Sequence, residues 1–103
     1  MTIWFEWDAE KATSNQRKHG VNFNTATLVF GDRFAITEQD RIEDGEQRWR
    51  TLGMADGLLL LLVAHTLKDI DDEDEVVRII SAREATAAEG RRYRAEWARQ
   101  NSI

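Results

Sequence analysis

Hydrophobic and polar positions change period several times along the chain. From Thr2 to Trp7 they alternate, with Ile3, Trp4, Phe5 and Trp7 inside six residues, which predicts a short first strand. Asp8 follows as an N-cap, Ala9 to His19 reads as a helix with Glu10 in its first turn, and Gly20 stands where a left-handed residue ends one. Asn22 caps a second helix that carries Phe23, Ala26, Val29 and Phe30 on one stripe and stops at Gly31. A short strand is predicted over Phe34 to Thr37, then a polar loop from Glu38 to Gly45, then a strand from Gln47 to Ala55. Asp56-Gly57 is a hairpin signal. Leu58 to Thr66 is apolar on both faces and reads as the central strand. The last strand is Val76 to Ala82. Ser81-Ala82-Arg83-Glu84 resembles a capping box, and a C-terminal helix runs to about Gln100 with Ala85, Glu89, Tyr93 and Trp97 in one row. The order β-α-α-β-β-β-β-α, with short connections between the later strands, predicts an α+β fold in which helices sit on a small antiparallel sheet.

The 103 residues fit one domain over 1–103 with one core. Four Trp in so short a chain imply that several pack in the core or at an interface. With no Cys there are no disulfides, thiolate metal sites or thiol nucleophiles. No signal-peptide pattern opens the chain, and the longest apolar run, Leu58 to Ala64, is too short to span a bilayer, so a cytoplasmic protein without membrane contact is expected.

The net charge of −5 disfavours nucleic acid as a partner until its distribution is considered. Six of the seven residues from Asp69 to Glu75 are acidic, and the run reads as a solvated connection. Elsewhere cations cluster: Arg17-Lys18-His19, Arg48 with Arg50, Arg78 with Arg83, and Arg91-Arg92-Arg94. Strict alternation puts Glu46, Arg48 and Arg50 on one face of their strand, and Val76, Arg78, Ile80 and Ala82 on one face of theirs. With the central strand between them, Arg48 and Arg78 converge on one open sheet face. Ion pairing or a solvated face is the ordinary explanation of such arginines, and an anion site is the other. As an anion site, guanidiniums bind a phosphate bidentately and stabilise the extra charge of a pentacovalent transition state. Lys18 and His19 are either acid–base groups or caps of a helix C-terminus. Tyr93 either contacts a base or phosphate or packs with a bonded tip. His65 ends the apolar strand, where a structural role is the ordinary one. With two His and no Cys a zinc site would need carboxylates, the acidic run lacks the glycine and ligand spacing of a calcium loop, and no nucleotide-loop, serine-hydrolase or zinc-protease motif is present.

The opening FEWDAEKATSNQRKHGVNF resembles that of the BrnT family, toxins of type II toxin–antitoxin modules. Phe5, Trp7, Asp8, Lys11, Asn15, Lys18, His19, Gly20, Val21 and Phe23 match its pattern F-x-W-D-x-x-K-x-x-x-N-x-x-K-H-G-V-x-F. Glu46, Arg48 and Gly53 match an E-x-R-x-x-x-x-G strand. Arg78, Ser81, Ala82, Arg83, Ala85, Thr86, Glu89 and Tyr93 match an R-I-I-S-A-R-x-A-T-x-x-E-x-x-x-Y end. The connection Lys68 to Glu75 departs from the family by its length and acidity. The resemblance implies a RelE-like fold, growth arrest by RNA cleavage, and neutralisation by a cognate antitoxin. That antitoxin brings the complex to operator DNA, so DNA contact is indirect. A homodimer or a toxin–antitoxin heterotetramer is the expected assembly.

On this reading cleavage uses no metal or cofactor. The ribose 2′-hydroxyl attacks the adjacent phosphate, Arg48, Arg78 and Arg83 stabilise it, and Lys18 or His19 moves protons, with Glu46 as a second candidate base. Tyr93 positions the RNA, and Arg50, Ser81 and His65 contact it. A module of the same fold that binds RNA or antitoxin without cleaving is the alternative. A structural dimer, associating through its Trp residues and acidic loop, is a third.

Overall fold

Asp8 and Gly20 bound the first helix from opposite ends. In the computed structural model, whose described residues are 2–102, the Asp8 carboxylate accepts from the N–H groups of Glu10 and Lys11, and Gly20 takes φ 69°. The elements are β1 (Thr2–Glu6), α1 (Ala9–His19), α2 (Phe23–Ala26), a 3-10 turn (Thr27–Gly31), β2 (Ile36–Glu43), β3 (Glu46–Ala55), β4 (Leu59–Asp69), β5 (Asp74–Glu84) and α3 (Ala87–Asn101). The strands form one sheet in the order β1-β5-β4-β3-β2. Neighbours from β2 to β5 are antiparallel, as their short connections require. The antiparallel meander expected of the central strands is present. β1, the first strand in the chain, lies beside β5, the last, and pairs with that edge parallel.

Three boundaries differ from the sequence reading. Glu38 to Glu43 is strand rather than loop, because β2 is an edge strand that needs no apolar face and tolerates charge. Its hairpin turns at Asp44-Gly45, where φ is 52° and 76°, and the β3–β4 hairpin turns the same way at Asp56-Gly57. The two ends of the acidic run, Asp69 and Asp74-Glu75, belong to β4 and β5. What remains is a turn in which the Asp71 carboxylate accepts from Glu73 N–H and Asp74 N–H. The capping box lies at Thr86 and Glu89, not at Ser81 to Glu84, which is strand. The second helix is a single α-helical turn that tightens into the 3-10 turn.

One sheet face carries the core. Val21, Phe23, Ala26 and Val29 pack on Leu61, Val63, Val77, Ile79 and Ala82. Trp7 meets Phe23 edge-on at 5.9 Å between centroids. Gly53 belongs to this contact: a Cβ there would stand 3.0 Å from Val29 Cβ and 3.1 Å from its carbonyl oxygen. Beyond the end of β1, a helix side chain covers the exposed edge of β5. Asn15 donates to Ala82 O (2.8 Å) and Val21 O (3.0 Å) and accepts from Ala82 N–H (3.0 Å). α3 is tied to the other end of the sheet by Tyr93, whose hydroxyl donates to Asp32 at 2.5 Å. The same carboxylate accepts from Met54 N–H and Phe34 N–H, so Asp32 joins the 3-10 turn, β3 and α3. No helix among the described residues is long and apolar enough to cross a membrane.

Candidate active site

The sheet face opposite the core presents its side chains in rows set by the strand register. Glu38, Arg50, Ala64 and Ser81 form one row from β2 to β5. The next pairs Thr66 with Arg78 and Arg78 with Glu6 on β1, and continuing the β3–β4 register places Arg48 beside Thr66. Arg48 and Arg78 therefore share a face across β4, as expected from the sequence, about 10 Å apart at the backbone and within reach of one ligand.

An extra residue in β5 fixes which of its side chains join this face. Ala64 pairs with Ser81, but His65 pairs with Ile79, so Ile80 bulges from the ladder. Ala82 consequently turns into the core and is fully buried, correcting the placement of Val76, Arg78, Ile80 and Ala82 on one face. Arg83, opposite Leu62, lands on the same side as Arg78. It lies four β4 residues further along, on the order of 13 Å. There Arg83 grips Glu89 through two hydrogen bonds, of 2.8 and 3.0 Å. Glu89 also accepts from Thr86 N–H. The guanidinium, opposed by burial and helped by the capping bond, holds Glu89 down to about 2. The structure thus separates Arg83 from Arg48 and Arg78 and makes it a clamp between β5 and α3.

The other arginines of this face are also matched with carboxylates. Arg78 bonds Glu46 across β4. Arg92 of α3 bonds Glu38, which Arg50 approaches at 3.6 Å. The Arg92 hydrogen bond, working against partial desolvation and joined by Arg50, keeps Glu38 below the usual carboxylate range. Arg48 is the most enclosed: its side chain is 15% exposed, its Nη2 is 3.8 Å from Glu43, and its Nε finds no acceptor among the described residues.

Lys18 and His19 leave the end of α1, exposed, and line a shallow cleft with Lys11, Ser14, Asn15, Ile80 and Ser81. The Asn15 bonds to Ala82 hold that helix end against the bulge, so Lys18 and His19 border the row that contains Ser81 and Arg50. Tyr93 is elsewhere. It is buried against Asp32, and burial followed by the Asp32 carboxylate raises its pKa well above the usual phenol value. His65 is likewise not on the open face. It is fully buried on the core side, which rules out the substrate contact expected of it. Its Nε2 meets Thr51 Oγ1 at 2.7 Å, Thr51 meets Thr37 at 2.8 Å, and Nδ1 lies 3.2 Å from Thr66 O. A carbonyl only accepts, so Nδ1 donates to Thr66 O, and burial lowers the ring's pKa, opposed by that bond.

Sequence reasoning missed Glu38, Arg92 and Thr66. The Asp44-Gly45 turn signal, followed through, extends β2 and brings Glu38 opposite Arg50. Nothing in the sequence announces the Arg92 contact, which spans 54 residues.

Comparison with known proteins bears on this arrangement. A family model described as "Ribonuclease toxin, BrnT, of type II toxin-antitoxin system" matches residues 7–89. The fold is similar to that in a 1.1 Å crystal structure of the Brucella abortus ribonuclease toxin BrnT, with a TM-score of 0.56 and 22% identity. That match covers 82% of this chain and 99% of the Brucella chain. No curated protein matches the sequence.

Proposed function

Because the chain belongs to the BrnT ribonuclease-toxin family of type II toxin–antitoxin systems, we propose that it is an endoribonuclease that binds a phosphodiester on the open face of its sheet. The observation that carries this reading is the row Arg48–Thr66–Arg78, flanked by the Arg50–Ala64–Ser81 row whose β5 end is bordered by Lys18 and His19. It supplies phosphate ligands in the middle of a face and proton-transfer groups at its rim.

In the proposed reaction the 2′-oxygen attacks the neighbouring phosphorus in line as its proton leaves, and the bond to the 5′-oxygen breaks as that oxygen gains a proton. The products are a 2′,3′-cyclic phosphate and a 5′-hydroxyl. Arg48 and Arg78 neutralise the phosphoryl oxygens, most strongly when the phosphorus is five-coordinate. Lys18 or His19 exchanges the protons. Ser81 and Arg50 hold the strand. Glu46 releases Arg78 to the substrate, and Arg83 and Tyr93 fix α3. No metal or cofactor enters these steps. The protein acts in the cytoplasm, as a homodimer or in a toxin–antitoxin heterotetramer, is silenced by a cognate antitoxin, and only that antitoxin touches operator DNA.

The test is cleavage of single-stranded RNA by the purified chain with and without EDTA, with the fragment ends identified. Cyclic-phosphate and 5′-hydroxyl ends in both reactions are expected. Loss of cleavage in EDTA, restored by Mg²⁺, overturns the metal-free chemistry. One observation favours the non-catalytic alternative: the arginines of the face are already matched with carboxylates. That reading predicts RNA or antitoxin binding with no cleavage.

A further inference from the structure

Trp4 is the large aromatic side chain placed on the open face. It pairs with Val76 on β5, in the row adjoining Arg78, and it is 57% exposed. Ile3 and Phe5, its neighbours on β1, pack toward the core, so strand alternation turns Trp4 the other way. Val76 also pairs with Lys68, so Trp4, Val76 and Lys68 form a row beside Glu6, Arg78 and Thr66. A tryptophan left half in water forgoes the burial that ordinarily stabilises it.

From this juxtaposition we propose that Trp4 is a base-stacking platform for single-stranded RNA, setting the register of the strand whose phosphate lies on Arg78. Diagonal neighbours on one sheet face are about 7–8 Å apart, within reach of long and aromatic side chains. A base on the indole and the adjoining phosphate on the guanidinium therefore span two neighbouring rows. Lys68, beyond Val76, supplies a second cation for the backbone. An aromatic plane flanked by cations is the combination that binds single strands without reading sequence. Glu6, paired with Arg78 on β1, borders the path and disfavours a phosphate on that flank, which directs the backbone toward β4.

The inference rests on the proposed ribonuclease reading, and the experiment separates the two. Cleavage kinetics of a single-stranded RNA, and binding of its uncleavable all-2′-deoxy counterpart, are measured for the wild type, Trp4→Ala and Trp4→Phe. Trp4→Ala is expected to raise KM and Kd roughly 5- to 100-fold, the range spanned by loss of one base stack. Its kcat should change little, and Trp4→Phe should recover most of the affinity. Quenching of tryptophan fluorescence by the oligonucleotide should be smaller in Trp4→Ala. Wild-type cleavage with unchanged KM in Trp4→Ala overturns the platform and leaves the ribonuclease reading standing. Unchanged KM together with conversion of a wild-type dimer to a monomer also overturns it, and assigns Trp4 to a contact with a second copy. A wild-type chain that neither binds nor cleaves RNA overturns both.

Discussion

Asn15 bonds both backbone polar groups of Ala82, and so occupies the place of a strand neighbour beside the part of β5 that β1 does not reach. A sheet edge is ordinarily satisfied by another chain segment or by water. Here one carboxamide does it from a helix, and the same helix ends in Lys18 and His19. Asn15→Leu keeps the branched shape but orphans an N–H and two carbonyls in a buried setting. It is expected to cost about 2–4 kcal/mol, read from the midpoint of urea unfolding. RNA cleavage by the folded fraction should also fall, because the end of α1 is no longer held against Ser81.

Arg78→Ala should lose cleavage on the order of 100-fold or more while the thermal midpoint moves little, since the side chain is an exposed member of an ion pair. Arg78→Lys keeps the charge but not the planar fork and should recover part of the rate. Wild-type rates in Arg78→Ala remove the phosphate role from the central row.

Glu46→Gln distinguishes two roles for this carboxylate. As the partner that holds Arg78, its neutralisation frees a guanidinium and tightens RNA binding several-fold, in line with a surface ion pair worth up to about 1 kcal/mol. As a general base, its neutralisation lowers kcat with binding unchanged. Tighter binding with kcat maintained is expected.

Stability should fall in acid in two separable steps. The folded pKa of His65 lies below its ordinary 6.5, so the unfolded chain takes up the proton first. Its contribution is complete above pH 6.5 and declines as the pH drops from there toward the lower folded value. The folded pKa of Glu89 is also depressed, from 4.5 to about 2, so its contribution persists until the pH falls below 4.5 and is gone near 2. Glu89→Gln should shrink the lower step, leaving the part that Glu38 contributes, and keep the upper one. His65→Asn should do the reverse. Chemical denaturation across pH reads both.

Much of this was legible in the sequence because local chemistry dictates it. Asp8 and Gly20 fix α1, Asp56-Gly57 fixes a hairpin, and the apolar run around Leu61 and Val63 can only lie in the middle of a sheet. The convergence of Arg48 and Arg78 followed from alternation and strand order. Alternation failed at Ile80, where one extra residue changes the facing of all that follows. Polarity misled at Glu38 to Glu43, because an edge strand is exposed on its unpaired side and reads like a loop. His65, Tyr93 and Arg83 were misplaced for a common reason. Their partners, Thr51, Asp32 and Glu89, are set by tertiary packing and local caps that compete for the same side chains as a substrate would.

The bulge at Ile80 acts as a phase shift within a single strand. Counted by twos, Arg78 and Arg83 belong to opposite sides of β5, and a regular ladder would send one of them into the core. The added residue resets the count between them. It lets β5 bury Val77, Ile79 and Ala82 while pointing both arginines outward, one toward the proposed RNA path and one toward the helix that closes the fold. Forcing Ile80 into the ladder would leave the composition intact and exchange inside for outside over Ala82 and Arg83, whereas deleting it would leave plain alternation with the same facings. Whether one residue is held out of the ladder is therefore as much a determinant of the surface as the identity of the side chains.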